Sequence, residues 1–322
     1  MLVTKLETLV DKDSRVFVAG HRGLVGSGIV RGLERQGFTN LICRTRQELD
    51  LTDRSAVEDF FESTRPEYVF LAAAEVGGIV ANSTRPADFI RNNLLIQTNV
   101  IDAAWRRGAR KLLFLGSSCI YPRDAAQPIR EECLLTGPLE KTNDAYAIAK
   151  IAGIRMVQAY REQYGFDGIC LMPTNLYGPN DNFDLNSSHV LPALIRKFHD
   201  ALVSGVGEVV LWGSGRPRRE FLHVDDMADA SIFLMENYSA REIINVGTGE
   251  DISILELAVM VREIVGCSSE IVHDLSKPDG TPRKLMDVSR LTSLGWKARI
   301  DLREGIRRTY EWYSSGAAVT QS

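Results

Sequence analysis

The chain has 322 residues, of which 44% are hydrophobic, so it can bury one large core or two modest ones. Its net charge of −4 and isoelectric point near 5.8 leave no overall basic field, which gives no reason to expect nucleic acid or an anionic membrane as a partner. No apolar segment of the sequence is long enough to span a bilayer.

The cysteines and the N-terminal segment both indicate a cytoplasmic location. The five cysteines are odd in number and form no C-x-x-C pair, which suits reduced thiols rather than a disulfide framework. The N-terminal stretch MLVTKLETLVDKDS is interrupted by charges and lacks the apolar region of a secretory signal.

Short apolar runs alternate with helical patterns along the first half of the chain. The predicted strands are 15–20, 40–44, 68–74, 111–118 and 168–173, and the predicted helices run to about 36, near 55–64, near 88–107 and over about 145–163. This alternation is typical of an α/β fold with a doubly wound parallel sheet of the Rossmann type.

The pattern weakens at TNLYGPNDNFDLNSS, where Gly, Pro and Asn interrupt it. Further helices are predicted near 190–203, 253–265 and 302–313. We therefore expect a Rossmann domain over 1–177 and a smaller C-terminal substrate-binding domain over 178–322. The stretch from about 223 to 249, with VDDMADA and INVGTG, is expected to return to the Rossmann domain.

The first predicted strand leads into GHRGLVG, where Gly20, Gly23 and Gly26 stand at the turn from strand to helix. Glycines at this place let backbone amides approach a pyrophosphate at the helix N-terminus. The spacing is G-x-x-G-x-x-G, and such glycines can also be turn residues without a ligand. Their position after the first strand favours dinucleotide binding.

The end of the second strand distinguishes the two nicotinamide cofactors. An acidic residue there would bind the ribose 2′-hydroxyl of NAD, but the stretch CRTR supplies Arg44 and Arg46, and Arg22 lies in the glycine loop. Positive charge suits the 2′-phosphate of NADP, so we predict NADP(H) over the alternative of ordinary surface arginines. Asp50 is either an adenine contact or a helix N-terminal residue.

Tyr146 and Lys150 in DAYAIAK are four residues apart on a predicted helix and therefore share a face. A lysine ammonium near a phenol favours the phenolate, which predicts a tyrosine pKa lowered toward the range for proton transfer. Such a pair is common on solvated helix faces. Its order gives it weight, because it follows a strand that ends in Ser117 and Ser118, which follows the glycine loop.

In this order, the glycine loop, the strand-end serine and YAIAK resemble the extended short-chain dehydrogenase/reductase family that acts on nucleotide sugars. More narrowly, the chain resembles the GDP-L-fucose synthases, NADPH-dependent 3,5-epimerases and 4-reductases of GDP-4-keto-6-deoxy-D-mannose. The stretches that carry this resemblance over nearly the whole chain are GHRGLVGS, AAAEVGGIVAN, FLGSSCIYP, YAIAKIAGI, MPTNLYGP, EFLHVDDMA, INVGTG and KPDGTPRKLMDV.

The resemblance implies roles for individual residues. Ser117 and Tyr146 would hold the sugar O4, Tyr146 would deliver a proton, and Lys150 would bind the nicotinamide ribose. The implied cofactor contacts are Gly20, His21, Arg22, Gly23, Leu24, Val25, Gly26, Arg46, Asp50, Leu51, Leu115, Gly116, Ser117, Ser118, Lys150, Pro173, Thr174, Asn175, Leu176 and His189. The implied substrate contacts are Lys197, Trp212, Arg219 and Asp279.

Cys119 has a use in a 3,5-epimerase that a simple 4-epimerase or reductase does not offer. Removing a proton next to a C4 ketone requires a base, and inversion requires an acid on the other ring face. Cys119 can be the base if Lys150 and its neighbours favour the thiolate, and His189 can return the proton. The resemblance assigns both roles; without it, Cys119 is more often a small buried hydrophobe.

Other functions fit parts of the same pattern. Another nucleotide-sugar enzyme could be a 4-epimerase, which recycles its own NAD, or a 4,6-dehydratase, which is expected to carry a carboxylate where Cys119 and Ile120 stand. A non-catalytic NADP-binding sensor is expected to lack the serine, tyrosine or lysine. On the residues alone, Trp212 is either a core anchor or an aromatic plane for a base, and RPRR is either a solvated loop or an anion site.

A homodimer is expected, and a metal site is not. In related extended reductases, the helix after strand three and the tyrosine helix form a four-helix interface, for which Ala147, Ile151 and Ile154 are predicted to supply an apolar face. The spacing of His199, His223 and His273 does not match a metal site.

Overall fold

The computed structural model describes residues 11–185, 187–277 and 279–317 of this chain. The segment 1–10, which carries most of the argument against a secretory signal, lies outside the described residues. Among the residues that are described, no helix has the length and apolar character needed to cross a membrane.

The described residues form strands that are mostly short and helices of five to 21 residues. The strands are β1 Val16–Ala19, β2 Leu41–Ile42, β3 Tyr68–Leu71, β4 Lys111–Leu115, β5 Asp167–Pro173, β6 Asn175–Tyr177, β7 Glu208–Trp212, β8 Arg218–Arg219, β9 Phe221–His223, β10 Ile244–Val246, β11 Ile252–Ser253, β12 Glu270–Asp274 and β13 Arg283–Lys284. The helices are α1 Leu24–Arg35, α2 Arg54–Thr64, α3 Ile79–Thr84, α4 Pro86–Arg106, α5 Asp144–Tyr164, α6 Val190–Ser204, α7 Val224–Asn237, α8 Ile254–Val265, α9 Ser289–Ser293 and α10 Leu302–Trp312.

A six-stranded parallel sheet has the order β2-β1-β3-β4-β5-β10. Strands β1, β3 and β4 are buried along their whole length, because helices cover both faces of the sheet. The strand order reverses beside β1, where β2 lies on one side and β3 on the other. A ligand crevice is expected beyond the carboxyl ends of the strands at such a switch point.

Two helical layers enclose this sheet. Helices α2, α4 and α5 cover one face, and α1 and α7 cover the other. The contact of α4 with α5 is close because Gly153 has no side chain: a Cβ there would lie 2.7 Å from Gln97 Oε1 and would overlap the Phe114 ring. The Gln97 amide in turn donates to the Ala149 carbonyl across the two helices, at 2.7 Å.

A separate apolar cluster lies under the small sheets of the second half of the chain. It packs α6, α8 and α10 around β7 and β9, with the fully buried side chains of Ile195, Phe198, Leu257 and Ile306. Three small sheets pair β7 with β12, β6 with β9, and β8 with both β11 and β13. The two-residue strand β8 is the centre of its sheet.

The prediction of a doubly wound parallel sheet is confirmed, and most predicted helix bounds agree within two residues. Strand β2 is shorter than the predicted 40–44, and α3, α7, α9 and the strands after β5 were not predicted. Those strands include two-residue segments that carry charged side chains, so no apolar alternation marks them. Pairing with distant segments creates them.

The predicted apolar dimer face on α5 is wrong. Ala147 and Ile154 are fully buried and Ile151 is 9% exposed, because these side chains pack in the core of the same chain. The apolar side chain that α5 exposes near Tyr146 is Ile148, at 47%.

Candidate active site

The glycine loop brings backbone against backbone between β1 and α1. Gly20 has φ +84°, and a Cβ there would lie 2.8 Å from the Ala73 backbone nitrogen. A Cβ on Gly26 would overlap the Gly20 carbonyl, whose oxygen accepts a hydrogen bond from Gly23 N at 3.0 Å. Gly23 is the N-cap of α1 and offers no side-chain cap among the described residues, so the first-turn amides at Leu24 and Val25 end this glycine turn, here called the cradle, without a side-chain acceptor.

Arg22 lies in the glycine loop, and Arg44 and Arg46 follow β2. Arg22, Arg44 and Arg46 are all exposed. The Thr45 amide and hydroxyl hold the carboxylate of Glu48 at 2.7 and 2.9 Å, and these bonds, followed by the charges of Arg44 and Arg22, lower the pKa of Glu48. Partial burial, and then the charge of Arg22, lower the pKa of His21, which keeps its imidazole neutral next to these cations.

Asp50 is engaged in a local turn. Its Oδ1 accepts from the Thr52 amide at 2.9 Å and from the Thr52 hydroxyl at 2.7 Å, and these bonds lower the pKa of Asp50. The carbonyl of the adjacent Leu51 accepts from Asn99 Nδ2 at 3.0 Å. This turn leads toward α2, as in the helix N-terminal alternative, while the adenine contact stays a prediction.

Ser117 and Tyr146 meet beyond the carboxyl end of β4. Gly116 N donates to the Leu171 carbonyl at 2.8 Å, which extends the pairing of β4 with β5 by one residue. The Ser117 hydroxyl accepts from Cys119 N at 3.2 Å, and it lies near enough to the Tyr146 phenol to affect the pKa of that phenol. Ser117 therefore contacts both of the other candidate catalytic groups near it. The next residue, Ser118, is buried in the short 3₁₀ helix Ser118–Ile120.

The expectation that Lys150 lowers the pKa of Tyr146 is wrong. Burial, followed by the nearby Cys119, raises the pKa of Tyr146 above its ordinary value, although the Ser117 hydroxyl acts in the opposite direction. The Lys150 ammonium donates to the Leu115 carbonyl at 2.7 Å and lies 5.8 Å from the centre of the Tyr146 ring. Burial lowers the pKa of Lys150 to about 8. Helix spacing correctly predicted that Tyr146 and Lys150 are neighbours, but it could not predict the burial that shifts their pKa values.

Lys284, rather than Lys150, is the cation found at the Cys119 sulfur. Its Nζ lies 3.8 Å from Cys119 Sγ, and the thiol is half-buried in the 3₁₀ helix. His189 begins α6 as its N-cap residue and is exposed at the wall of the cleft. Desolvation by the surrounding protein, and then the charge of Lys284, lower the pKa of His189. One ammonium therefore acts on both the predicted base and the predicted acid.

The loop after β5 is held by the second half of the chain. Pro173 ends β5, and Thr174 N donates to the Val246 carbonyl at 3.0 Å. The backbone carbonyl of Glu220 accepts from Asn175 Nδ2 at 2.7 Å and from Thr174 Oγ1 at 3.3 Å. Leu176 follows in β6, which pairs with β9.

Glu220 is a residue whose part in the site sequence reasoning missed. Its side chain is fully buried, and its carboxylate accepts from three backbone amides, those of Thr248 at 2.6 Å, Gly249 at 2.8 Å and Met286 at 2.8 Å. Burial raises the pKa of Glu220, and the amide donors act against that rise. An acidic residue directly before the apolar run FLHV was the available signal.

The side chains proposed to hold the nucleotide line one wall. Trp212 is 54% exposed, so it is not a core anchor, and the ammonium groups of Lys197 and Lys277 each lie 5.3 Å from its ring centre. Lys197 Nζ also donates to the Val210 carbonyl at 2.9 Å. Two cations beside an exposed indole suit a phosphorylated aromatic ligand.

Arg219 and Asp279 lie near each other at this wall. The Arg219 guanidinium is within 3.0 Å of the place where a Cβ on Gly280 would stand, and partial burial lowers the pKa of Arg219. Asp279 accepts from Ser214 N at 2.8 Å and from Ser214 Oγ at 2.6 Å, so its carboxylate fixes a turn in this structure. The pairing of β8 with β13 sets Arg219 opposite Lys284 and so joins this wall to the thiol.

Buried polar atoms without a partner occur in segments that adjoin candidate site residues. Asn82 Oδ1, Asn143 Oδ1 and Ser188 Oγ are buried and have no hydrogen-bond partner among the described residues. Asn143 begins the helix of Tyr146, and Ser188 precedes His189. Gly78 N donates to the Ser187 carbonyl at 3.0 Å, and Asn82 Nδ2 donates to the Gly78 carbonyl at 3.0 Å, so these two loops adjoin. Buried polar atoms of this kind call for a ligand or water.

Comparison with known proteins gives consistent results. The model of the NAD dependent epimerase/dehydratase family matches residues 16–247. A putative GDP-L-fucose synthase 2 from Arabidopsis thaliana is 63% identical, over 95% of this chain and 93% of its own length. The solved structure of a GDP-mannoheptose C4 reductase from Campylobacter jejuni with NADP bound is 44% identical, has a TM-score of 0.87 and covers 94% of this chain and 99% of its own.

A further solved structure carries the same kind of name as the plant relative. It is a GDP-L-fucose synthetase from Naegleria fowleri bound to NADP, 28% identical, with a TM-score of 0.88 and 95% coverage of both chains. Similarity of this extent covers both the parallel sheet and the smaller sheets of the second half.

The Glu220→Ala variant is expected to lose about 3 kcal/mol of unfolding free energy, because the buried Met286 amide and the partly buried Thr248 and Gly249 amides would lose their acceptor, at about 1–3 kcal/mol for a fully buried donor. Urea denaturation measures the loss. The stability of Glu220→Gln should fall between that of Glu220→Ala and that of the parent. The amide keeps one acceptor oxygen but turns an NH₂ group toward a backbone donor. Glu250→Ala is the control, because Glu250 is exposed. A parent-like midpoint for Glu220→Ala would show that these bonds contribute little.

Proposed function

This chain belongs to the GDP-L-fucose synthases of the NAD dependent epimerase/dehydratase family, and on that premise we propose that it converts GDP-4-keto-6-deoxy-D-mannose to GDP-L-fucose. The reaction comprises inversion at C3 and C5 and NADPH-dependent reduction at C4. The observation that carries the proposal is that Ser117 contacts both Tyr146 and Cys119, so a carbonyl-binding pair and a thiol lie at one strand end.

The residues present fit NADP(H). A Cβ on Gly20 would clash with the Ala73 backbone and one on Gly26 with the Gly20 carbonyl, so glycines allow the tight turn that places the first amides of α1 where a pyrophosphate would bind. Arg22 and Arg46 supply positive charge at the end of β2, where the 2′-phosphate of NADP is expected. NADPH, when bound, supplies the hydride for C4. The chain's own residues orient the substrate and move its protons.

Epimerisation uses the ketone and the thiol together. Ser117 and Tyr146 hydrogen-bond to O4, Cys119 as thiolate removes a proton from the adjacent carbon, and the electron pair of that C–H bond moves onto O4. The hydroxyl groups stabilise the enolate formed on the substrate. His189 returns a proton from the opposite face as the electron pair flows back from O4. The sequence repeats at the second centre after base and acid re-equilibrate with solvent.

Reduction uses the same O4 contacts. Burial raises the pKa of Tyr146, which keeps the phenol protonated at neutral pH, and a proton donor to O4 requires that form. Lys150, three per cent exposed, lies behind Tyr146 and donates to the Leu115 carbonyl. We assign it to the nicotinamide ribose, with Thr174 and Asn175 at the edge of the nicotinamide pocket.

The nucleotide is assigned to the wall formed by Lys197, Trp212 and Arg219, with Asp279 ordering its rim. The lysines and Arg219 suit the diphosphate, and the exposed Trp212 ring suits a base or ribose.

We also propose the division of labour between the two parts of the chain. Residues 1–177 would hold NADP(H) and residues 178–322 the substrate, with about 223–249 returning to the cofactor domain. The support for this return is that β10 extends the six-stranded sheet and α7 packs on α1.

A homodimer in the cytoplasm is proposed as the working form. The outer surfaces of α4 and α5 expose Leu95 at 40%, Ile148 at 47% and Tyr164 at 45%, and a two-fold contact would cover them. All five cysteines lie in the described residues and are free thiols, as a reducing compartment favours. Light scattering should give about twice the 35.8 kDa chain mass, and cell fractionation should place the protein with soluble enzymes; a monomer or a membrane fraction would contradict these assignments.

The test of the function is incubation with GDP-4-keto-6-deoxy-D-mannose and NADPH, followed by identification of the product. We expect one NADPH consumed for each GDP-L-fucose formed. A 6-deoxy product with uninverted C3 and C5 would indicate a C4 reductase of the kind named among the solved structures. An unreacted keto sugar would contradict the proposal.

Arg46→Ala is expected to reduce the preference for NADPH over NADH by about tenfold or more in kcat/KM. A hydrogen bond to a charged group contributes about 1.5–3 kcal/mol. NADPH would lose this bond in the variant, whereas NADH, which has no 2′-phosphate, never makes it. Arg54→Ala is the control, because Arg54 is an exposed arginine that pairs with Glu58 on α2. An unchanged ratio in Arg46→Ala would show that another group recognises the phosphate.

Cys119→Ser is expected to separate the two half-reactions. A hydroxyl has nearly the same volume but a far higher pKa, so solvent deuterium entry at C3 and C5 should fall by about 10²–10⁴-fold. Slow NADPH oxidation should persist, because reduction relies on Ser117, Tyr146 and Lys150. Mass spectrometry of the product distinguishes the two. Formation of GDP-L-fucose at the parent rate would make Cys119 a packing residue.

A further inference from the structure

Lys284 lies at the junction of three parts of the site. Its Nζ is 3.8 Å from Cys119 Sγ, and β-strand pairing sets it opposite Arg219 of the nucleotide wall. Its backbone carbonyl accepts from Glu220 N, and two residues later Met286 N donates to the Glu220 carboxylate at 2.8 Å. The buried residue Glu220 therefore holds the strand of Lys284 through both its backbone amide and its side chain.

The charged and titratable groups near the thiol come from several elements. Tyr146 approaches from α5, and its pKa responds to Cys119. Lys284 approaches from β13, and beyond it lie His189 at the start of α6 and Arg219 on β8. Among these groups, Lys284 is the one with a direct contact to the sulfur, at a distance where an ammonium stabilises an anion strongly.

We propose that Lys284 is a positioning residue for epimerisation, whose ammonium stabilises the Cys119 thiolate and couples its protonation to proton release by His189. This inference rests on the proposed function and deepens it. With the thiolate present, the charges of sulfur and ammonium offset each other, and His189 can hold a proton. When Cys119 takes a proton from the substrate, the ammonium is left without its counter-charge.

That change in charge favours the second proton transfer. The unbalanced Lys284 ammonium disfavours the imidazolium of His189, so His189 donates its proton to the opposite ring face as the enolate collapses. The proton gained on sulfur and the proton lost from imidazole balance each other, and Lys284 keeps its own proton throughout. Both groups then exchange with solvent before the second inversion.

The first arm of the test needs no substrate. Alkylation of Cys119 by iodoacetamide, followed by mass spectrometry of its peptide, should be about tenfold slower in Lys284→Met than in the parent at pH 7, and its half-maximal pH should move upward. Lys284→Arg keeps the charge and should restore most of the rate. Cys133 in the same digest serves as the internal reference, and Lys297→Met, at an exposed lysine, is the matched control.

The second arm uses NADPH and GDP-4-keto-6-deoxy-D-mannose. In Lys284→Met, solvent deuterium entry at C3 and C5 should fall about ten- to hundredfold in kcat, while NADPH oxidation at C4 changes less. Parent-like alkylation in Lys284→Met, or a rise in KM alone, would overturn the inference and leave Lys284 as a nucleotide contact. A parent enzyme that does not convert the keto sugar would refute the proposed function, while the alkylation arm still tests the link between Lys284 and Cys119.

Discussion

The buried residue Glu220 makes the contacts that join the two halves of the candidate site. Its backbone carbonyl accepts from the side chains of Thr174 and Asn175, and its carboxylate accepts from the amides of residues 248, 249 and 286. Burying a carboxylate is costly, and the three amide donors offset that cost only in one geometry. The nicotinamide side and the strand of Lys284 are therefore fixed relative to each other by main-chain bonds to one residue.

Around that fixed frame, the environments of three side chains separate their protonation roles. Burial keeps the Tyr146 phenol protonated, and burial also lowers the pKa of Lys150 while the Leu115 carbonyl holds its ammonium in place. The thiol of Cys119 is less buried and lies beside a second lysine, Lys284. A proton donor and a proton acceptor can thus work within one cleft because desolvation and charge act on them differently.

The sequence was sufficient for the features that depend on local pattern and order. Apolar runs and glycines predicted the sheet and the cradle, and the resemblance, carried by long motifs, directed attention to Ser117, Cys119 and Tyr146. It could not predict Lys284, which is 165 residues from Cys119 and stands on a two-residue strand without apolar alternation. Helix spacing placed Lys150 beside Tyr146 but could not show the burial that dominates the pKa of Tyr146. On α5, an apolar residue such as Ile154 fits a core or an interface equally well, and only packing distinguishes them.

Ser117 explains how two reactions share so few groups. Its hydroxyl lies near the Tyr146 phenol and accepts from Cys119 N, so the residue assigned to O4 also fixes the backbone that carries the thiol. The distance from the carbonyl-binding groups to the base is set by a two-residue turn. In the proposed mechanism, reduction relies on the two hydroxyl groups and Lys150, whereas epimerisation adds one sulfur atom on that turn and one ammonium on β13. In the proposed mechanism, a change at Cys119 or Lys284 would therefore remove epimerisation while the parallel sheet, the glycine turn and the O4 contacts stay in place.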